Sequence, residues 1–419
     1  MPSLSFGEQM NFLLVSPDYL PNLGGISMMA HGIASGLVKS GHVVHMMAPF
    51  SETPEAQDAG YTYIYDKAAR PEIVSGDAWT DIERPRILKK FDEISETLNI
   101  ERILSFHPHY YGQALMAWKA SRAKNGQSSP SIGSVYHGLE LLTCLRWPKI
   151  KQDLHERFLQ RQASHREEVL ATVKRSDTLF SNSQYTGSLV TRIARSRTAA
   201  VIGCGVSEKW SEVYADISSD ARLMRRLSAR RTLKLPEDIK LVGTVSRLVP
   251  HKNIEAMIDL IAVSPKSVHG LIAGTGPHKP SLMAHISRAG LESRIHFREI
   301  PDEAGKWNAI EALDQFLLLS KLTRDGGVEG FGIVMLEAMM AGIPVITSGT
   351  GGMADVIIHG ETGFIVPQKK GQKLLKASQD LLTDDERQNR IVILAQERVK
   401  TEFLWTHVCH RLLAAWDIN

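Results

Sequence analysis

Two successive runs of alternating strand-like and helix-like segments constrain the fold of this 419-residue chain more than any other feature. The first run begins with the apolar segment NFLLVS at 11–16, passes through a glycine-containing loop and a helical pattern at 27–39, and reaches a second strand from His42. A strand, a helix and a strand in this order form a βαβ unit, whose strands are parallel and whose crossover is right-handed. The sequence therefore predicts an α/β fold with a covered parallel sheet.

Further strand-like runs continue the alternation through the N-terminal half. They lie at 61–65, 102–106, 131–136, 178–181 and 199–202. After the basic stretch ARLMRRLSARRTLK at 221–234, the alternation starts again at Lys240 with KLVGTVSRL. A restart behind a charged connector predicts a second α/β domain.

Composition narrows the class of protein. With 43% hydrophobic and 23% charged residues and a net charge of +3, the chain is an ordinary globular protein that gives no general case for binding nucleic acid. No apolar run reaches the ~18 residues that span a bilayer, and no secretory signal is expected. Cys144, Cys204 and Cys409 form no C-x-x-C pair, so we expect a cytoplasmic, reducing location and no structural metal.

The segment GGVEGFGIVMLE at 326–337 predicts an anion site. Gly330 and Gly332 flank Phe331 and end an irregular stretch, and strong helix formers follow from Ile333. The first N–H groups of a helix lack partners, and the helix dipole adds partial positive charge at this end. We therefore expect the loop and the helix start to favour a phosphate.

Two carboxylates, Glu329 and Glu337, bracket the same turn with seven residues between them. A carboxylate beside a phosphate repels the ligand unless it accepts hydrogen bonds from hydroxyl groups of the same molecule. This combination suits a nucleotide sugar. The alternative, a glycine-rich loop with two solvated glutamates, stays open because short motifs match by chance.

Other candidates lie at the expected carboxyl ends of strands. Arg247 and Lys252 can neutralise a diphosphate, although the alternative is an exposed pair without a role. Gly24 and Gly25 follow the first strand, where a doubly wound sheet binds ligands or simply needs a tight turn. His137 lies at the end of its strand, where a polar loop begins, and is a candidate to contact a sugar or a phosphate. His107 is more typical of a structural histidine.

The basic stretch at 221–234 holds six Lys or Arg and no acidic residue. Such a run is most often a solvated helix face, and the sharper alternative is a surface for anionic lipid headgroups. The segment GTGPHKP is not a dinucleotide fingerprint, which disfavours a dehydrogenase.

Taken together, these segments resemble the retaining glycosyltransferases of family 4. The matching residues are NLGGISMMAHGIASGLVKSGHVV, VSRLVPHKN, LIAGTGP, EGFGIVMLEAMMAGIPVI, SGTGG and HGETGFIV, in the family's order over almost the whole chain. The resemblance implies the GT-B architecture of two facing Rossmann-like domains with parallel sheets and an interdomain cleft. It implies an acceptor-side domain at 1–207, a basic connector at 208–238, a donor-binding domain at 239–400, and a C-terminal helix at 401–419 that packs back on the N-terminal domain.

The resemblance also implies residue roles. Glu329 and Glu337 would be the family's Glu-x7-Glu pair, with Glu329 on the donor sugar and Glu337 on the ribose. Arg247 and Lys252 would bind the diphosphate, and His137 would lie near the transferred sugar; we expect His137, Glu329, Arg247 and Lys252 to act in catalysis. The remaining residues implied in donor binding are Gly24, Gly25, Gly276, Gly330, Phe331, Gly332 and Ile333. Glu299 and Asp355 depart from the family's pattern. Glu299 stands where many family members have a glycine, so the resemblance does not imply which nucleotide base is recognised.

The implied activity is retaining, metal-independent transfer of a hexosyl group from a UDP- or GDP-linked sugar to a saccharide or lipid-linked acceptor. No cofactor, metal or nucleic acid is expected. The pathway would be polysaccharide, lipopolysaccharide or glycolipid assembly, in the cytoplasm or peripherally at an anionic membrane surface. The alternatives are an epimerase or phosphorylase on the same scaffold, a natural-product glycosyltransferase, and a non-catalytic scaffold.

Overall fold

The computed structural model describes residues 8–20, 24–49, 59–66, 83–138, 140–142, 144–145, 156–195, 197–323, 327–368 and 370–417. Contacts between residues divide the chain into two compact units. Unit 1 comprises 1–204 and 405–419, and unit 2 comprises 205–404. Each unit is described by itself.

Unit 1 contains a parallel sheet of seven strands in the order β3-β2-β1-β4-β5-β6-β7. Its elements in chain order are β1 (Asn11–Val15), α1 (Gly25–Lys39), β2 (Val43–Ala48), β3 (Thr62–Tyr65), α2 (Glu83–Thr97), β4 (Arg102–Ser105), a π-helical turn (Pro108–Gly112), α3 (Gln113–Lys124), β5 (Ser131–Tyr136), α4 (Glu156–Arg175), β6 (Thr178–Ser181), α5 (Gln184–Ala194), β7 (Ala200–Val201) and, at the end of the chain, α14 (Trp405–Asp417).

The central strands of unit 1 read as continuous apolar runs because helices cover both faces of the sheet. In β1 the four residues after Asn11 are all buried. Leu13 and Val15 pack in a core cluster with Phe91 of α2 and Trp118 of α3. The core therefore fixes the sheet whose carboxyl edge carries Gly24, Gly25 and His137.

The C-terminal helix α14 packs against α1 within unit 1. A Cβ atom at Gly32 would lie 2.0 Å from the Trp405 ring, so only glycine allows this approach. The Cys409 thiol donates to the carbonyl oxygen of Ile33 at 3.4 Å, and Trp416 Nε1 donates to Ser131 Oγ at 2.9 Å. The last helix therefore completes unit 1 rather than the unit that precedes it in the chain.

Unit 2 contains a parallel sheet of six strands in the order β10-β9-β8-β11-β12-β13. Its elements are α6 (Glu208–Val213), α7 (Ser219–Thr232), β8 (Lys240–Val245), a 3-10 turn (Pro250–Lys252), α8 (Glu255–Val263), β9 (Val268–Ala273), α9 (Lys279–Arg288), β10 (Ile295–Arg298), α10 (Glu303–Glu311), β11 (Gln315–Leu318), α11 (Ile333–Met340), β12 (Val345–Thr347), a 3-10 turn (Gly351–Asp355), β13 (Phe364–Ile365), α12 (Gly371–Thr383) and α13 (Asp385–Glu402).

The α/β fold class with two parallel, Rossmann-like sheets is confirmed. Among the described residues, none of the helices combines the length and the apolar composition that spanning a bilayer requires. Cys144, Cys204 and Cys409 are all buried and unbonded to one another.

The basic stretch 221–234 forms most of α7 and belongs to unit 2. Arg226 and Arg230 each form an ion pair with Asp314, at 2.7 and 2.6 Å. Arg222 is buried and donates to Asn389 and to the carbonyl oxygen of Gly342. The description of this stretch as a solvated helix face is therefore wrong for these three arginines. Their guanidinium groups form ion pairs and hydrogen bonds with other residues of unit 2.

Candidate functional site

The loops after β8 and β9 of unit 2 meet at the carboxyl edge of its sheet. Leu248 N–H donates to the carbonyl oxygen of Thr275 at 2.8 Å, and His278 N–H donates to that of Leu248 at 3.0 Å. Gly276 has φ +156°, and a Cβ atom there would lie 2.3 Å from the Leu248 carbonyl oxygen. Because no side chain fits at this point, Gly276 is needed to hold the loop that presents Arg247.

Lys252 and Glu329, two of the residues singled out in the sequence, contact each other directly. Lys252 Nζ lies 2.5 Å from Glu329 Oε2, and each side chain is only 13% exposed. Ser320 Oγ donates to the same oxygen at 3.2 Å. The description of Glu329 as a solvated glutamate is therefore wrong.

These surroundings control the charge of Glu329. Burial alone would raise the pKa of its carboxyl, but the charge and hydrogen bond of Lys252 oppose it, together with His251 and the Ser320 hydroxyl. Their sum holds the Glu329 pKa below its ordinary value. The carboxylate is therefore ionised at neutral pH and can accept hydrogen bonds.

Asn253 fixes the backbone next to Lys252. It adopts a left-handed conformation with φ +53°, which asparagine tolerates better than most residues. Its side-chain amide donates to the carbonyl oxygen of Leu319 at 3.1 Å and accepts from Lys321 Nζ at 3.0 Å. The turn that carries Lys252 is thereby tied to the end of β11, from which the Glu329 loop starts.

Gly332 sets the entry into α11. It is the N-cap residue with φ +91°, and a Cβ atom would lie 2.9 Å from Leu318 Cδ2. The helix then begins at Ile333 with no acidic residue in its first turn. Phe331 is buried and makes an edge contact with Phe403, with ring centroids 6.1 Å apart. This arrangement leaves a helix start whose unpaired N–H groups favour an anion.

Glu337 lies deeper in α11 and is paired with a residue that the sequence analysis did not single out. Its Oε1 lies 2.5 Å from Lys306 Nζ of α10, and only 7% of the Glu337 side chain is exposed. Lys306 shares the buried face of its helix with Ala309 and Ile310, and Leu313, two residues past the helix end, is also buried. A lysine at i in an apolar i, i+3, i+4, i+7 pattern is the signal that would have identified it.

Arg247 differs from the other candidates in unit 2 because its side chain is exposed. It lies two residues after the end of β8, on the loop that Gly276 supports. No side chain in the described ranges forms an ion pair with it, which leaves its guanidinium available for a ligand.

Gly24, Gly25 and His137 belong to unit 1, at the carboxyl edge of its sheet. Gly24 is the N-cap of α1, which starts at Gly25, two residues before the predicted start. A Cβ atom at Gly24 would lie 2.9 Å from Asp18 Oδ2, whereas one at Gly25 would meet nothing within 4 Å. A side chain at position 24 would therefore crowd Asp18, whereas contacts within unit 1 do not require a glycine at position 25.

His137 follows β5 and is held by both its backbone and its ring. Its N–H donates to Glu140 Oε1 at 2.6 Å, and its ring Nε2 lies 2.7 Å from the carbonyl oxygen of Phe106. A carbonyl oxygen only accepts, so Nε2 carries the proton. Burial lowers the pKa of His137 more than Glu140, the Phe106 carbonyl and Asp18 raise it. The ring is therefore neutral near pH 7, with Nδ1 as a hydrogen-bond acceptor.

His107, the other histidine considered in the sequence, supports the end of its strand through its backbone. The carbonyl oxygen of His107 accepts from Ser105 Oγ at 3.0 Å, a contact that supports the strand end. Within the described ranges, no group of three or more His, Cys, Asp or Glu residues is arranged to hold a metal ion.

Comparisons with known proteins identify the class. The family model for glycosyltransferase family 4 matches 23–210, and the model for glycosyl transferases group 1 matches 226–398. Together these ranges cover most of the chain. The chain belongs to glycosyltransferase family 4 and has the GT-B fold.

Several curated proteins are similar over nearly the full length. The GDP-mannose-dependent alpha-(1-6)-phosphatidylinositol monomannoside mannosyltransferase of Mycobacterium tuberculosis is 26% identical over 420 residues, covering 96% of each chain. The GDP-mannose-dependent monoacylated alpha-(1-6)-phosphatidylinositol monomannoside mannosyltransferase of Corynebacterium glutamicum is 26% identical over 407 residues, again covering 96% of each.

Solved structures show the same fold at lower identity. HepE of Anabaena in complex with UDP and glucose has a TM-score of 0.73 at 18% identity, covering 98% of this chain and all of that one. Sucrose-phosphate synthase of Thermosynechococcus elongatus has a TM-score of 0.71 at 19% identity, covering 98% and 99%.

Proposed function

We propose that this glycosyltransferase moves a sugar, with retention at the anomeric carbon, from a nucleoside diphosphate sugar to a hydroxyl group of an acceptor. The observation that carries the proposal is the Lys252–Glu329 pair beside the start of α11. It combines a cation and a helix N-terminus, which suit phosphates, with an ionised carboxylate, which suits sugar hydroxyls.

The leaving diphosphate would be stabilised by charge from the protein without a metal ion. Lys252 supplies a point charge, and Arg247 supplies a planar guanidinium group that can donate two parallel hydrogen bonds. The loop and the helix start supply the backbone N–H groups of Gly330, Phe331, Gly332 and Ile333. Gly25, whose approach is unobstructed within unit 1, would let backbone come close to the donor.

Glu329 would bind the transferred sugar. Lys252 and Ser320 both contact its Oε2, so Oε1 is the oxygen left to accept from sugar hydroxyls. His137, neutral and fixed by Phe106, would offer Nδ1 to a hydroxyl group of a substrate. Both residues act by positioning a substrate.

Retention follows if the acceptor hydroxyl attacks the face from which the diphosphate departs. The bond between the anomeric carbon and the phosphate oxygen breaks, the bond to the acceptor oxygen forms, and the departing phosphate takes the acceptor proton. The products are a glycosylated acceptor and a nucleoside diphosphate. No side-chain base is required for this step.

The names of the relatives indicate the first substrates to test. GDP-mannose is the first donor, because the similar mannosyltransferases are named as dependent on it, and their names point to a phosphoglycolipid acceptor. UDP-glucose is the second donor, and a polysaccharide or lipopolysaccharide acceptor is the second class. Work on a lipid acceptor would place the enzyme peripherally at a membrane surface.

The test incubates the protein with GDP-mannose or UDP-glucose, with and without a lipid acceptor extract, and identifies products by mass spectrometry. Transfer that needs an acceptor supports the proposal, and proton NMR of the product reports the anomeric configuration. Conversion of the donor sugar without an acceptor would indicate an epimerase, and release of a sugar phosphate a phosphorylase. Full activity in excess EDTA is expected; loss that Mg²⁺ restores would contradict the metal-independent mechanism.

A further inference from the structure

Lys306 carries a buried positive charge that contributes little to the stability of the fold. Its side chain is 9% exposed, and its ammonium lies 2.5 Å from Oε1 of an equally buried Glu337. Taking both charges out of water is costly, and a well-packed apolar pair of similar volume is often as stable or more stable. The pair is therefore poorly explained by stability alone.

A second buried ion pair in unit 2 shows what a purely structural arrangement looks like. Asp314 accepts from Arg230 and from the Leu241 N–H through Oδ2, and from Arg226 through Oδ1. Protein donors therefore occupy both carboxylate oxygens of Asp314.

Glu337 is different because protein donors use only one of its oxygens. Lys306 contacts Oε1, and within the described ranges no donor reaches Oε2. Oε2 is not one of the buried side-chain atoms that lack a hydrogen-bond partner, so this oxygen keeps some contact with solvent and can accept from a ligand. The remaining oxygen is suited to the adjacent O–H donors of a ribose.

We propose that Lys306 is a positioning residue for the ribose of the donor: its ammonium fixes Oε1 of Glu337 so that Oε2 accepts from the ribose hydroxyls. The proposal rests on the proposed function, since it requires a nucleoside diphosphate at this site. Lys306 itself does not touch the reacting atoms. Its loss should therefore weaken donor binding and the selectivity for ribose, with little effect on turnover at saturation.

The test measures, by isothermal calorimetry, the affinities of the full chain for GDP and 2′-deoxy-GDP, and for UDP and 2′-deoxy-UDP. A hydrogen bond to a charged group corresponds to a preference of about tenfold or more for the ribonucleotide. Lys306→Met should reduce this preference to less than about threefold, and Lys306→Arg, which keeps the charge, should retain most of it. In assays with the donor, Lys306→Met should raise KM and leave kcat nearly unchanged.

Arg230→Met is the matched control, because it removes a cation from the other buried pair of the same unit. It should leave the ribose preference unchanged even if it lowers stability. An unchanged preference in Lys306→Met would overturn the inference, and so would an equal loss in Arg230→Met. If Lys306→Met does not fold, Lys306→Gln is measured in its place, with the same expected loss and the same overturning result. Wild-type protein that binds neither GDP nor UDP would contradict the proposed function itself, whatever the variants do.

Discussion

Lys252 Nζ and Glu329 Oε2 lie 2.5 Å apart although 77 residues separate the two in the chain. The contact joins the turn after β8 to the loop after β11, and both side chains are mostly buried. This pair places a cation and an ionised carboxylate next to the start of α11. It is the geometric basis for the predictions that concern the donor.

Arg247→Ala and Lys252→Ala should each reduce turnover by about 10²-fold or more, because each removes a positive charge of the protein that stabilises the departing diphosphate. Arg247 is exposed, so its variant should keep the wild-type stability within about 0.5 kcal/mol. Steady-state kinetics and urea unfolding measure the two effects. Arg288→Ala, an exposed change on α9, is the control and should alter neither. Wild-type turnover in both single variants would refute the assigned roles.

The stability of unit 2 should depend on pH through Glu329. Its folded pKa is held below the ordinary value of 4.5, so the folded state binds protons less readily than the unfolded chain. The stabilisation is therefore fully present above pH 4.5 and is lost as the pH falls through the lowered folded pKa. Urea midpoints of the wild type and Glu329→Gln, compared across this range, should converge on acidification. A constant difference between them would show that the carboxylate is not stabilised in this way.

Gly332→Ala should destabilise the protein by about 2 kcal/mol or more, because Gly332 has φ +91° and a Cβ atom would crowd Leu318. Gly290→Ala is a matched control: Gly290 has φ +64°, with nothing within 4 Å of the added atom. It should cost only the conformational strain, about 1 kcal/mol. Chemical unfolding measures both. Equal losses would mean that the contact with Leu318 is unimportant.

His137 should remain neutral through the physiological range. Burial lowers its pKa below 6.5, so protonation should begin only at more acidic pH. The 15N chemical shifts of the imidazole should show a protonated Nε2 and an unprotonated Nδ1 near pH 7, as the contact with the Phe106 carbonyl requires. Titration with a midpoint above 6.5 would contradict this assignment.

Trp416→Ala should destabilise unit 1 by about 3–5 kcal/mol, a typical loss for a large aromatic core residue. Its ring is buried against Phe12 and Phe180, with centroids 5.9 and 5.2 Å away, and its indole N–H donates to Ser131. His410→Ala, an exposed change on the same helix, is the control. Thermal unfolding of both variants would show whether α14 is an integral part of this unit.

Sequence reasoning identified most of the elements because their signals are local. The segments 131–136 and 178–181 have the bounds that the apolar runs predict, and α11 begins at Ile333 after its glycines. Sequence reasoning was less successful in predicting the surroundings of charged side chains. It treated the arginines of α7 as solvated or lipid-facing, and it did not single out Lys306, whose significance depends on a carboxylate 31 residues away.

The sequence by itself determined the alternation of strands and helices, the glycine turns, and a set of charged residues in the order typical of the family. These features follow from backbone sterics and from the period of apolar residues, which act over a few positions. Only the tertiary structure decided that Lys252 pairs with Glu329, that Lys306 pairs with Glu337, and that Arg230 is buried on Asp314. The energy of an ion pair depends on the distance through space and on the loss of water around it, and packing between distant segments sets both.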